Sequence, residues 1–174
     1  EWVTDTWAEV DVVVRELGAG LIALGVEPED RVAIASSTRY EWALADLATM
    51  VAGGATTTIY PTTMADDVAF ILADSGTKVI FAENADQLDK LRGIRASTPA
   101  VTRVIVFAAE ADDNDPWTLN LDQVRQLVEL QRREVPAVQL DRHRRVARLL
   151  LRVDRAQPGP VLRVVLRRPR PRLR

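Results

Sequence analysis

The chain has 174 residues, 47% of them hydrophobic, with no cysteine and a formal net charge of −2. That length suits one domain, or one domain with an appendage, and the missing thiols exclude a disulfide framework and thiolate metal sites while fitting a reducing compartment. No apolar run reaches the ~18 residues needed to cross a bilayer. The small net charge hides a split: residues 1–122 hold 21 Asp and Glu against 8 Lys and Arg, a balance of −13, whereas residues 123–174 hold 4 acids against 15 Arg and no Lys, a balance of +11. Such asymmetry divides the chain into an N-terminal unit, 1–122, and an Arg/Pro-rich tail, 123–174. Glu1-Trp2 read as interior sequence, so the true N-terminus is expected to be missing.

The elements follow in order. Thr6-Trp7-Ala8-Glu9 is a capping-box pattern, and Trp7, Val10, Val14, Leu17, Leu21 and Leu24 then lie on one helical face that Gly25 ends. Val32 to Ala35 is a short apolar run, as in a strand buried on both faces. A helix from about Tyr40 to Val51 ends at Gly53-Gly54. Ala55 to Tyr60 is a β-branched strand stopped by Pro61. Met64, Val68, Ile71 and Leu72 mark a third helix, ending near Ser75-Gly76. Lys78 to Phe81 is a further strand, Asp86 to Leu91 a fourth helix, and Arg103 to Phe107 is expected to be the last strand. A further helix spans about Leu121 to Leu130. Alternating strands and helices predict an α/β fold: a parallel sheet clad by helices in three layers, from about Trp7 to Phe107. Beyond about Glu134, Arg, Leu, Val and Pro dominate, and this basic tail is expected to be largely disordered.

Gly18-Ala19-Gly20-Leu21-Ile22-Ala23 fits the relaxed dinucleotide fingerprint. That fingerprint needs a strand before its glycines, whereas Trp7 to Leu17 have helical period, so close helix packing explains them better. No P-loop, HExxH, GxSxG or Cys/His cluster occurs. His143, among Arg142, Arg144 and Arg145, reads as a solvated bystander rather than a general base. The adjacent pairs Asp66-Asp67 and Asp112-Asp113 read as helix N-terminal charge and a solvated loop. Ser36-Ser37-Thr38-Arg39, between a parallel strand and a helix, is the best generic ligand loop; its other reading is an ordinary N-cap loop. Tyr60, Thr62 and Thr63 lie at a similar strand end, where Pro61 and the hydroxyls can shape the turn and cap the next helix. The Arg-rich tail permits contact with nucleic acid or acidic surfaces, but it lacks aromatics for base stacking, so no specific nucleic acid is expected. The tail also fits an out-of-frame translation of GC-rich sequence.

T-W-A-E, G-L-I-A-L-G-V, D-R-V-A-I, Y-E-W-A and I-Y-P-T occur in this order between Trp2 and Phe107. Together they resemble the N-terminal subdomain of AMP-forming acyl-CoA synthetases, most closely the long-chain fatty acyl branch. Glu29 departs from that pattern, which has glycine before Asp-Arg-Val, and Thr58 replaces a common proline. Both lie at turns or strand ends and are expected to cost a little stability without altering the fold. The resemblance implies a cytoplasmic parent enzyme, with peripheral membrane association open, that uses ATP, Mg²⁺ and CoA to adenylate a fatty acid and then form its thioester. The family's phosphate loop, of the type Tyr-Thr-Ser-Gly-Thr-Thr-Gly-x-Pro-Lys-Gly, is absent, as are its adenine motif, ribose-binding aspartate and catalytic lysine. No catalytic, cofactor or metal residue can therefore be carried over, and the chain alone is expected to be an inactive fragment that holds no cofactor. A noncatalytic binding or interaction module is the alternative reading, and chain-length preference and oligomeric state stay undetermined.

Overall fold

The computed structural model describes residues 3–108, 115–134 and 163–166. Its elements are β1 (Val3–Thr6), α1 (Trp7–Ala23), β2 (Arg31–Ala35), α2 (Tyr40–Ala52), β3 (Ala55–Ile59), α3 (Ala65–Ser75), β4 (Val79–Ala82), α4 (Ala85–Ile94), β5 (Arg103–Val106), β6 (Thr118–Asn120), α5 (Leu121–Glu134) and β7 (Arg163–Leu166). Strands β2 to β6 form one parallel sheet in the order β3-β2-β4-β5-β6. Among the described residues no helix is long and apolar enough to cross a membrane.

The alternation of side chains along each strand divides the core into two layers. Val32, Ile34, Val79, Phe81 and Ile105 face α1, α2 and α5, together with Leu17, Leu21, Leu44, Ala48 and Val124. Ala33, Ala35, Ile80, Ala82, Val104 and Val106 face the other way, against Val68, Leu72, Leu88 and Leu91 of α3 and α4. The sheet is thus covered on both faces, which is why its central strands read as unbroken apolar runs. Fully burying Phe81 contributes up to about 3 kcal/mol.

Each helix starts and stops for a local reason. At α1 the capping box forms: Thr6 Oγ1 accepts from the Glu9 N–H at 3.3 Å, and the Thr6 N–H donates to Glu9 Oε2 at 2.6 Å. The Thr6 N–H, together with the Thr6 hydroxyl that donates to Glu9 Oε2 at 2.8 Å, holds the Glu9 carboxyl below its ordinary value. Helix α2 ends at Gly53, whose φ of 86° favours glycine. The α1 glycines lie inside the helix and touch other helices: a Cβ on Gly18 would come 3.1 Å from Ala48 O, and one on Gly20 would come 2.4 Å from Val124 O. They are packing contacts of α1 with α2 and α5, and helix, not the strand that a dinucleotide turn requires, lies immediately before them.

One expectation changes. Arg103–Val106 is not the last strand of the sheet, because Thr118–Asn120 pairs in parallel beyond it. Three residues, one of them an asparagine, carry no period-two signal. The strand is set instead by its flanks: Trp117 is buried and donates Nε1–H to Val101 O at 3.1 Å, while Asn120 and Gln123 cap each other at the start of α5. The charge boundary at residue 122 falls inside α5. Val124 is buried and Arg125 Nη2 meets Glu16 Oε2 of α1 at 2.6 Å. The rest of the tail, 135–162 and 167–174, lies outside the described residues, and β7 pairs antiparallel with β1 from Val3↔Leu166 to Thr6↔Arg163.

Candidate functional site

Open parallel sheets place ligands outside the carboxyl ends of their strands, where the strand order reverses. Here β3 lies on one side of β2 and β4 on the other, so the reversal falls between β2 and β4. The loops after β2 (Ser36–Arg39), after β3 (Tyr60–Met64) and after β4 (Glu83-Asn84) form this rim.

Ser36 is buried at the end of β2, and its hydroxyl donates to Ser37 O at 2.8 Å. The Ser37 N–H and hydroxyl both donate to the Glu83 carboxylate, each at 2.8 Å. Arg39 Nε donates to Glu41 Oε2 at 2.7 Å, and its Nη1 lies 3.8 Å from Glu83 Oε1. Thr38 is exposed. One guanidinium thus serves two carboxylates, and the two Ser37 donors that could meet an anion already hold one of the chain's own. Of the sequence-selected loop, Ser37 and Arg39 converge on Glu83. Neither serine nor the threonine caps α2, because Arg39 occupies the N-cap and no side chain bonds there. Glu41 lies in the first turn of α2, where negative charge is favoured.

On the neighbouring loop, Tyr60 and Thr62 are exposed and Thr63 is half-buried. The threonine hydroxyls do not cap α3: Met64 is its N-cap, without a side-chain bond. The loop is held by its carbonyls instead. Lys90 Nζ donates to Pro61 O at 2.9 Å and to Thr63 O at 2.8 Å, and Gln87 Nε2 donates to Pro61 O at 3.1 Å. Asp66 and Asp67 are exposed in the first turn of α3 and suit the helix dipole. His143, Asp112 and Asp113 lie outside the described residues. Among the described residues no group of three or more His, Cys, Asp or Glu is placed to hold a metal ion.

Sequence reasoning missed Glu83, Gln87 and Lys90. The signal for Glu83 was available: a carboxylate directly after the fully buried Val79–Ala82, just before the N-cap Asn84. Gln87 and Lys90, three residues apart on α4, share a helix face, but nothing local names their partners.

Comparisons with known proteins agree with this architecture. The family described as AMP-binding enzyme matches residues 1–148. Long-chain-fatty-acid–CoA ligase FadD15 of Mycobacterium bovis is 40% identical over 107 residues, covering 62% of this chain and 18% of that protein. Long-chain-fatty-acid–CoA ligase ACSBG1 of Rattus norvegicus is 28% identical over 142 residues, covering 81% of this chain and 19% of its own length. Among solved structures, a putative long-chain-fatty-acid CoA ligase from Rhodopseudomonas palustris superposes with a TM-score of 0.58 at 24% identity, over 67% of this chain and 28% of that one. The anthranilate CoA ligase AuaEII in complex with anthranoyl-AMP gives a TM-score of 0.60 at 18% identity, over 68% and 21%. Both structural likenesses show the shared fold. The chain spans about a fifth of the length of the curated relatives named here.

Proposed function

The chain belongs to the AMP-binding enzyme family, and from that we propose that it is the N-terminal part of a long-chain fatty acid–CoA ligase. The similarity to FadD15 carries this reading, because it runs over 107 residues at 40% identity. The chain's coverage of only 18% of that relative supports its being one part of a larger enzyme. The intact enzyme would use ATP, Mg²⁺ and CoA on a fatty acid. Peripheral attachment to a membrane would belong to that whole protein.

Alone, the chain would not adenylate. Transition-state stabilisation there needs phosphate donors, a metal and a lysine preorganised together, and the family's phosphate loop does not occur in the sequence. The rim does not fit a nucleoside triphosphate and its metal either. Ser37 and Arg39 are engaged by Glu83 and Glu41, and both carboxylates would repel a polyphosphate. The Arg-rich tail, whose composition changes beyond about Glu134, would be an out-of-frame stretch.

Sequencing the locus tests the assignment. A phosphate-loop motif downstream, in any frame, supports the ligase reading, and an intact short gene with no such motif opposes it. Acyl-AMP formation by the purified 174-residue chain would contradict the expected inactivity.

A further inference from the structure

We propose that Lys90 is a positioning residue that latches the β3–α3 loop to α4 at the carboxyl rim of the sheet. An ammonium group has three donors. Lys90 directs all of them inward: to Pro61 O at 2.9 Å, to Thr63 O at 2.8 Å and to Gln87 Oε1 at 3.1 Å. Gln87 is buried and completes the latch by donating Nε2–H to Pro61 O at 3.1 Å. Its own N–H is fixed by the Asn84 cap at 3.1 Å, so the latch is anchored to the first turn of α4. That turn directly follows Glu83, which grips the β2–α2 loop through Ser37. The start of α4 therefore braces both neighbouring rim loops.

The latched loop has little else to hold it. It follows β3, the edge strand of the sheet. Its two largest side chains face outward, Tyr60 at 79% exposure and Met64 at 71%, and supply almost no packing. Its internal tie is a tight turn, Thr63 N–H to Tyr60 O at 3.0 Å. Hydrogen bonds from a charged donor are stronger than neutral ones and outweigh the burial available to this loop. The position of Tyr60 at the rim is thus set by the charge on α4. The latch is a property of the fold and stands whether or not the ligase reading holds.

Amide hydrogen exchange on the 174-residue chain tests it, comparing the Thr63 amide with the Val104 amide, which bonds to Trp117 O at 2.8 Å across β5 and β6. Lys90→Met keeps the apolar stem and removes the donors. Exchange at Thr63 should rise roughly tenfold or more while Val104 stays unchanged. Lys90→Arg keeps charge and donors, and should restore most of the protection that Lys90→Met loses. If Lys90→Met does not fold, Gln87→Leu, which removes the other donor to Pro61 O, gives the same local reading. Unchanged exchange at Thr63, or an equal rise at Thr63 and Val104, would overturn the latch.

Discussion

Gly20 of α1 lies against the backbone of Val124 of α5, so closely that a Cβ at Gly20 would stand 2.4 Å from Val124 O and 2.6 Å from its Cγ1. Backbone atoms cannot turn aside as a flexible side-chain end can. Gly20→Ala should therefore push α5 off α1, even though alanine favours helix by about 1 kcal/mol. The overpacking cost is about 1–3 kcal/mol, so the net outcome is destabilisation, read as a lower urea midpoint. The Arg125–Glu16 ion pair, Nη2 to Oε2 at 2.6 Å, should loosen with it. A Gly20→Ala chain as stable as the parent would show that α5 does not depend on this contact.

Glu29 has a φ of +70°, the only positive φ at a non-glycine residue among those described. A Cβ is disfavoured there, which fits the glycine that the family resemblance implies before Asp-Arg-Val. The side chain gives nothing evident in return: the fixed contacts use backbone groups, Glu29 N–H to Gly53 O at 2.9 Å and Arg31 Nη1–H to Glu29 O at 2.6 Å. Glu29→Gly should stabilise the chain by about 0.5–1 kcal/mol after the entropy cost of glycine. Thermal unfolding decides the sign, and a lower Tm would refute the strain.

The two-layer core was legible because its signals are local. Val32 to Ala35 and Val79 to Ala82 are unbroken apolar runs, and the α1 and α3 faces recur at helical spacing. Strand β6 was not legible, because Trp117 and the Asn120–Gln123 cap define it rather than its own three residues. The rim was half legible. Ser37 and Arg39 stood out by their place after a strand, but their partner Glu83 lies 46 residues from Ser37. Lys90 likewise reaches 29 and 27 residues back to Pro61 and Thr63. Spacing rules see three or four residues ahead; only the folded sheet brings these groups together.

Asp30 contributes to stability on the acid side. Burial alone would raise its carboxyl, but Lys78 Nζ at 2.9 Å and the Glu27 N–H at 2.7 Å outweigh it and hold it below the ordinary 3.8. A carboxyl depressed in the folded state stabilises fully above its unfolded value, and the contribution fades as pH falls through the folded one. Asp30→Asn should cost about 1 kcal/mol at pH 7, a figure kept small because Lys78 is nearly half exposed. The difference from the parent should vanish as pH drops below 3.8 and the parent protonates. Urea unfolding at several pH values checks this, and a constant difference across that window would place the effect elsewhere.

Glu83 can be separated from the donors it occupies. Glu83→Gln keeps one acceptor for Ser37 but removes the charge, leaving Arg39 to Glu41 alone. The variant should lose about 1–2 kcal/mol, the difference between a charged and a neutral acceptor. Ser37→Ala should lose less in the Glu83→Gln background than in the parent, since the two side chains share one bond. With the carboxylate gone, one of the two Ser37 donors and the Arg39 Nη1 that faced Glu83 become open to an outside anion. Added sulfate should then raise the Tm of Glu83→Gln in proportion to its occupancy, beyond any general salt effect seen in the parent. An equal response in both proteins would mean that the carboxylate does not fill an anion site. The serine–arginine loop would then be a structural turn, with no latent affinity for phosphate-like groups.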